Sequence, residues 1–238
     1  KIMEDHMFLD CFGCDIDYSL GKNFADFADQ FSKDSRYRTE LYKLRRKFMS
    51  HADGLIHADL HTSNIMASRD KMKVIDMEFA FMGPFGYDLG YLVGNLISQY
   101  CAACFKRFPS EQSRKQFKAY LLATIKSLIE TYMKTFTLCW EKSVKERYRG
   151  QQGLLQSILQ EVMEDVPGYA SMVNWFRSVS EIPYPDFDII EDKDAKRNAT
   201  VLSLMIDWGI MFGRYKYQSA DDLIETIIGI EEEFRKSL

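Results

Sequence analysis

The sequence predicts a mainly α-helical fold that contains one small β-hairpin. Long stretches of the C-terminal half repeat apolar residues at steps of three and four, which is typical of amphipathic helices. Short apolar runs that end in turn-forming or acidic residues are instead concentrated between Gly54 and Gly90. The 238 residues are 46% hydrophobic, which is enough for a sizeable core in one large domain or two small ones.

The segment before Gly54 is expected to be largely helical. Residues 1–14 hold an apolar segment whose type the sequence does not define, and one short helix is predicted within Asp15–Arg36. A second helix is predicted over Tyr37–Ser50, where apolar side chains fall on one face. The apolar residues behind these two helix predictions are Phe24, Phe27, Phe31, Tyr37, Leu41, Leu44 and Phe48.

Three helices are predicted after the Gly54–Gly90 stretch. Asp88 precedes an apolar stripe at helical spacing, and its carboxylate is expected to cap that helix. The run Ser110–Cys139 is the longest periodic one in the chain. A third helix begins near Leu154 and is expected to end before Pro167, because proline and the following glycine disfavour a helix interior.

The rest of the chain is predicted to hold an irregular insertion and two helices. Residues 167–196 include further prolines and an acidic run, which favours an irregular connection. Thr200–Phe212 is strongly apolar and is predicted to be helical. The last helix, through Phe234, is expected to start at a capping box formed by Ser219 and Asp222, with Asp in place of the usual Glu.

Three acidic residues, Asp59, Asp76 and Glu78, each follow a short apolar run. The runs 65–68 and 71–75 flank a turn and are predicted to pair as a hairpin that delivers the second acid. A strand end fixes the backbone but leaves the next side chain open to a cleft. Each acid alone could be an ordinary loop or cap residue, whereas the set at this spacing indicates a preorganised site.

The order of these residues is the one that kinases use for phosphoryl transfer: His-x-Asp, an Asn five residues after that Asp, and a second Asp beyond a hairpin. In this interpretation Asp59 accepts or orients the proton of the attacking hydroxyl. Asn64 and Asp76 hold Mg²⁺ on the nucleotide phosphates, because Mg²⁺ favours oxygen ligands. Glu78 follows Asp76 by two residues, so on an extended segment the two carboxylates share a face.

Two histidines flank Asp59. His57 is interpreted as a structural residue that holds loop carbonyls, whereas His61 either orients Asp59 or contacts substrate. A different hypothesis is a metal hydrolase that uses His57, Asp59 and His61, since alternate residues of an extended segment share a face. That hypothesis leaves the hairpin and the pair of Asp76 and Glu78 unexplained.

The loop His57–Asn64, HADLHTSN, resembles the HGDLHxxN loop of the aminoglycoside phosphotransferase and choline kinase superfamily of small-molecule kinases. The run Ile75–Gly90 is similar to the pattern IDPEFAFxGPxGxDxG of the methylthioribose kinases within it. His61 stands where protein kinases usually carry Lys, which argues against a protein substrate. Two residues depart from the methylthioribose kinases: Ala58 replaces the usual Gly, and Asn64, although it fits the superfamily loop, stands where those kinases usually have Ser.

This resemblance implies a protein-kinase-like C-terminal lobe that phosphorylates a hydroxyl of a small molecule, with ATP and Mg²⁺ as cofactors. The expected reaction is that of methylthioribose kinases, at O1 of 5-methylthioribose in methionine salvage. The alternatives are another small-molecule kinase of the superfamily and a non-catalytic kinase-like scaffold, although a scaffold needs none of the acidic residues. The resemblance also implies that Asp88 supports the catalytic loop.

The substrate contacts are less defined. Methylthioribose kinases carry an Arg-Arg pair in a context similar to M-I-R-R-x-x-G, and the corresponding run here is taken as Met205–Gly213. Neither register of that run supplies an arginine. Arg214, which follows it, is the nearest candidate for a substrate contact.

A kinase of this kind covers its nucleotide with a separate β-sheet lobe. No G-x-G-x-x-G motif is present, and no strand-rich block with a lysine precedes Asp59. Residues 1–238 are therefore expected to be the helical C-terminal lobe of a longer polypeptide, with the β-rich nucleotide-binding N-terminal lobe absent from this chain. The sequence leaves open whether the protein forms a homodimer.

Charge and cysteine content argue against other classes of protein. The net charge of −4 provides no basic surface for nucleic acid or an anionic membrane. No apolar run is long enough to cross a membrane, and the first residues do not form a signal peptide. Five cysteines fit reduced thiols in a cytoplasmic protein, and Cys11-x-x-Cys14 lacks a second pair at zinc spacing.

Overall fold

The computed structural model describes residues 2–9, 22–179 and 184–238, which are mostly helical with two small antiparallel sheets. The mainly α-helical class and the hairpin are therefore confirmed, and the second sheet is an addition. The helices are α1 (Ile2–Glu4, continued by the π-helical turn Asp5–Leu9), α2 (Lys22–Lys33), α3 (Ser35–Ser50), α4 (Tyr87–Phe105), α5 (Glu111–Ser143), α6 (Gln152–Val179), α7 (Pro185–Asp188), α8 (Lys193–Gly213) and α9 (Ala220–Ser237). The strands are β1 (Gly54–Ile56), β2 (Ile65–Ala67), β3 (Met72–Val74) and β4 (Phe81–Gly83).

The predicted catalytic loop lies between strands of the two sheets, after β1 and before β2. The hairpin pairs β2 with β3 and places Ile65 opposite Val74. The second sheet pairs β1 with β4 and places Ile56 opposite Phe81. Strands β1 and β4 are three residues long and are separated in the sequence by the β2–β3 hairpin, so no local sequence pattern predicts their pairing. Residues 57–64 connect the two sheets and are held at both ends.

Helices α4 and α6 pack closely in the core. A Cβ at Gly90 would lie 2.9 Å from the Val166 carbonyl oxygen, and a Cβ at Gly94 would lie 2.6 Å from the Ala170 carbonyl oxygen. Glycine is needed at both positions because a side chain would force the two helices apart. This contact holds the N-terminal half of α4, which carries Asp88, firmly against α6.

The prediction that a helix ends before Pro167, and that residues 167–196 are an irregular insertion, is wrong. Helix α6 continues through Pro167 to Val179, and α7 and the start of α8 follow. An interior proline removes a backbone hydrogen bond and costs about 3 kcal/mol relative to Ala. Residues 165–176 are all buried, so tertiary packing offsets that cost.

The other C-terminal predictions agree with the structure. Helix α5 begins after Ser110, whose Oγ accepts the Ser113 N–H at 3.1 Å. Helix α8 includes the predicted Thr200–Phe212 segment. Helix α9 starts at the predicted capping box, where the Asp222 carboxylate accepts the Ser219 N–H at 2.9 Å.

At the other end of the chain, α3 covers the predicted Tyr37–Ser50 helix and is capped by the Asp34 carboxylate. Helix α2 covers part of the predicted Asp15–Arg36 helix. Cys11 and Cys14 lie outside the described residues. Among the helices that are described, none combines the length and the apolar character that crossing a membrane requires.

Candidate active site

Asp59 lines a cavity of about 670 Å³. Its loop leaves the end of β1 and enters the 3₁₀ turn Thr62–Asn64, so the backbone is anchored on both sides of the carboxylate. Loop residues, α4, the end of α6 and the start of α7 all contribute to the wall. The polar side chains that line it include Asp59, His61, Gln99, Arg177 and Asp186.

The two carboxylate oxygens of Asp59 have different surroundings. The Tyr91 hydroxyl donates to Oδ1 at 2.9 Å. Oδ2 lies 3.6 Å from His61 Nε2, and the side chains of Asp59 and His61 are 21% and 28% exposed. One oxygen is therefore fixed by the hydroxyl of the buried Tyr91, while the other lies beside His61, which also lines the cavity.

Asp88 anchors the backbone of this loop. Its two oxygens accept the N–H groups of His57 at 2.6 Å and Ala58 at 2.9 Å. Burial raises the pKa of Asp88, and these two hydrogen bonds oppose that rise. Asp88 is not the N-cap that the sequence predicted, because Gly86 occupies that position and the carboxylate is turned away toward the loop.

Ala58 adopts a left-handed backbone with φ of +68°. This conformation costs a non-glycine residue about 1–2 kcal/mol. It accounts for the usual glycine at this place in the related kinase loops. In this chain the hydrogen bond from Ala58 N–H to Asp88 helps to hold the strained conformation.

His57 connects the two acidic segments. Its Nε2 lies 2.8 Å from the Ile75 carbonyl oxygen, and its Nδ1 accepts the Asp59 N–H at 3.3 Å. Both ring nitrogens are thus engaged with backbone, which argues against the metal-hydrolase hypothesis. Across the described ranges, no three His, Cys, Asp or Glu side chains converge into a metal-binding group.

Asn64 lies between the Asp59 loop and the segment that carries Asp76. Its side-chain Nδ2 donates to the Asp59 backbone carbonyl at 3.0 Å, and its backbone carbonyl accepts the Ile75 N–H at 3.0 Å. Asp76 follows at once with a left-handed φ of +65°, and Asp76 and Glu78 are both exposed. The amide and carboxylate oxygens of this set suit Mg²⁺, although the carboxylates do not line the Asp59 cavity.

Arg177 at the end of α6 supplies the cavity with a cation. Its guanidinium donates to Asp186 through Nε at 2.8 Å and through Nη2 at 2.5 Å, and it lies 4.6 Å from the centre of the Tyr184 ring. The side chains of Arg177 and Asp186 are only 12% and 7% exposed. This part of the cavity wall is therefore an ion pair whose two charges nearly cancel.

The structure does not support Arg214 as a substrate contact. Arg214 is 4% exposed, donates to Glu40 at 3.0 Å and to the Glu164 carbonyl at 3.3 Å, and does not line the Asp59 cavity. Its role is to join α3 to α6 next to Pro167. The run Met205–Gly213, which corresponds to the arginine-pair segment of the methylthioribose kinases, lies within α8, where Asp207 is completely buried.

Residues 18–128 match the model of the phosphotransferase enzyme family. The chain is 32% identical over 235 residues to the methylthioribose kinase of Geobacillus thermodenitrificans (strain NG80-2), an alignment that covers 97% of this chain and 56% of that kinase. It is 30% identical over 223 residues to the methylthioribose kinase of Geobacillus sp. (strain WCH70), covering 94% and 53%. The family match and these alignments support a place for the chain in the phosphotransferase enzyme family.

The similarity to methylthioribose kinases confirms the resemblance seen in the sequence. A third methylthioribose kinase, from Bacillus cereus (strain B4264), is 29% identical over 221 residues, covering 93% of this chain and 53% of the relative. The chain spans about half the length of the curated relatives that it matches.

Two residues that line the Asp59 cavity, Tyr91 and Arg177, are not among the site residues that the sequence predicts. Tyr91 lies three residues after Asp88, so the helical period places both on the face that meets the loop, and that spacing could have revealed it. Arg177 could not be found in the same way. The sequence predicts a helix that ends before Pro167, and it therefore predicts an irregular connection for the segment that carries Arg177.

Proposed function

We propose that this chain performs the hydroxyl-activating part of an ATP- and Mg²⁺-dependent phosphorylation, with 5-methylthioribose as the acceptor at O1. The observation that carries the proposal is the Asp59 carboxylate, which lines the cavity with one oxygen fixed by Tyr91 and the other beside His61. A carboxylate in that position accepts the proton of a bound hydroxyl as it attacks phosphorus. General-base catalysis of this kind contributes about 10²–10⁴-fold to a rate.

Asn64 and Asp76 would hold the Mg²⁺, with Glu78 as a further carboxylate. When bound, the ion neutralises charge on the phosphates of the nucleotide. The hydrogen bonds of Asn64 to both the Asp59 loop and the Ile75 segment support this assignment, because they tie the proposed ligands to the proposed base. Displacement of either segment would then disturb both functions.

The cavity favours a neutral sugar over a polycation. Arg177 and Asp186 offer hydrogen-bond donors and acceptors to hydroxyl groups while their charges cancel. The rings of Phe79 and Phe176 line the same space and supply an apolar wall suited to a thioether. An aminoglycoside carries several ammonium groups, and Asp186 offers them no free carboxylate because it is already paired with Arg177.

We also propose that residues 1–238 act as the helical lobe of a two-lobe kinase, since the relatives are about twice as long. The test is therefore made on the complete gene product. ADP release is measured with methylthioribose, ribose, choline and an aminoglycoside, and Asp59→Asn serves as the inactive control. Turnover of methylthioribose is expected. Turnover of choline or the aminoglycoside alone would overturn the substrate assignment, and ATP binding without turnover of any acceptor would favour a scaffold.

A further inference from the structure

One face of helix α4 touches the catalytic loop at three successive points. Asp88 holds the loop backbone before Asp59, as described above. Tyr91, three residues later, donates to the Asp59 carboxylate at 2.9 Å. Asn95, four residues later again, accepts the Thr62 N–H through Oδ1 at 3.4 Å and donates to the Tyr91 carbonyl at 3.0 Å. The loop is thus fastened to a rigid helix before, at and after its acidic residue.

Tyr91 differs from the other two contacts because it holds a side chain rather than backbone. It is 6% exposed and its ring packs 6.0 Å from the ring of Tyr87. Burial, reinforced by the nearby Asp59 charge, raises the pKa of Tyr91 well above its ordinary value. The phenol therefore remains a hydrogen-bond donor throughout the physiological pH range.

A single buried donor is enough to select the orientation of a carboxylate. The Asp59 side chain is 21% exposed, so without Tyr91 it would be free to rotate toward the cavity and toward His61. With the bond in place, Oδ1 is held by α4 and Oδ2 lies beside His61, which lines the cavity. Reacting groups that are misplaced by about 1 Å lose on the order of 10²-fold in rate.

We propose that Tyr91 is a positioning residue that fixes the Asp59 carboxylate, leaving Oδ2 as the atom that receives the proton of the acceptor hydroxyl. The proposal rests on the proposed function, in which Asp59 is the base. It adds a residue that acts only through Asp59, and that dependence can be measured.

The test uses Tyr91→Phe, which removes one oxygen atom and keeps the ring. We expect kcat to fall about 10- to 100-fold while KM changes less than about 3-fold, because the lost contact orients the base rather than the substrate. The matched control is Tyr132→Phe. The wild-type Tyr132 hydroxyl donates to the Phe85 carbonyl at 2.9 Å, and Tyr132 does not line the cavity. The control should lose a similar amount of stability and keep its kcat.

A double-mutant cycle separates positioning from a general structural effect. In an Asp59→Ala background, Tyr91→Phe should cause no further loss of kcat, whereas a structural role would produce additive losses. Equal kcat losses in Tyr91→Phe and Tyr132→Phe, or additive losses in the cycle, would overturn the proposal.

The same cycle is measured on unfolding, which needs no substrate. Tyr91→Phe should lower Tm in the wild-type background and leave it unchanged or raised beside Asp59→Ala, where the phenol has lost its acceptor. If the wild type phosphorylates none of the panel, the proposed function fails, and this coupling in Tm still decides whether Tyr91 holds the carboxylate. Absence of coupling would refute the contact itself.

Discussion

Replacing Asp88 by Asn is expected to disable the Asp59 loop. Each Asp88 oxygen accepts one backbone N–H, from His57 at 2.6 Å and from Ala58 at 2.9 Å. An Asn side chain keeps one acceptor oxygen and turns an NH₂ donor toward the second N–H, which is then left without a partner. A hydrogen bond to a charged group contributes about 1.5–3 kcal/mol, and a buried donor without a partner costs about 1–3 kcal/mol.

The free energy of unfolding should therefore fall by about 2–4 kcal/mol, which corresponds to a Tm decrease of roughly 5–15 °C for a domain of this size. Ala58 should relax from its left-handed conformation, and kcat should fall with the displaced Asp59. The control is Asp34→Asn: Asp34 also accepts two backbone N–H groups, but at an exposed helix start where Asn caps equally well. Thermal unfolding and ADP release measure both variants. Wild-type Tm and kcat in Asp88→Asn would refute the assignment of Asp88 as the loop anchor.

Three further predictions concern metal binding and the pH dependence of stability. Asp76→Ala should lose more activity than Glu78→Ala, and only the latter should be partly restored by raised Mg²⁺; an unchanged Mg²⁺ titration in both variants would contradict the paired-ligand assignment. Burial alone would raise the pKa of Glu231, but hydrogen bonds from Lys118 and Tyr100 outweigh it and lower the pKa to about 2. A carboxyl whose pKa is lower in the folded than in the unfolded chain stabilises the fold at pH values above the unfolded pKa, here near 4.5. The free energy of unfolding should therefore fall by about 2–3 kcal/mol between pH 4.5 and 2, and Glu231→Gln should show much less of that fall. Burial raises the pKa of Asp207 well above its usual range, so stability should fall as the pH rises above 4; Asp207→Asn should have a higher Tm than wild type at pH 8 and a shrinking advantage toward pH 4.

Local chemistry was predictable from the sequence where it depends on short spacing. The hairpin and the capping box at Ser219 both depend on residues a few positions apart. The spacing rules for strands, turns and helix starts apply to them directly.

Features that depend on packing were not predictable in the same way. Helix α6 continues through Pro167 because α4 and its neighbours bury that segment, and a local breaker signal carries no information about burial. The same error concealed Arg177, which is in the cavity wall only because α6 is long. Aspartate is a common helix cap, but the Asp88 carboxylate instead accepts the backbone N–H groups of His57 and Ala58, and Gly86 is the N-cap of α4.

The central claim is that Asp59 activates the acceptor hydroxyl, and single-turnover phosphoryl transfer by Asp59→Asn in the complete gene product tests it most directly. The amide can still accept the Tyr91 hydrogen bond, so Tm and ATP binding should match the wild type. The rate of transfer to methylthioribose should fall about 10²–10⁴-fold, because the amide cannot accept the proton. A variant that binds ATP, unfolds normally and transfers phosphate at a near-normal rate would contradict the account.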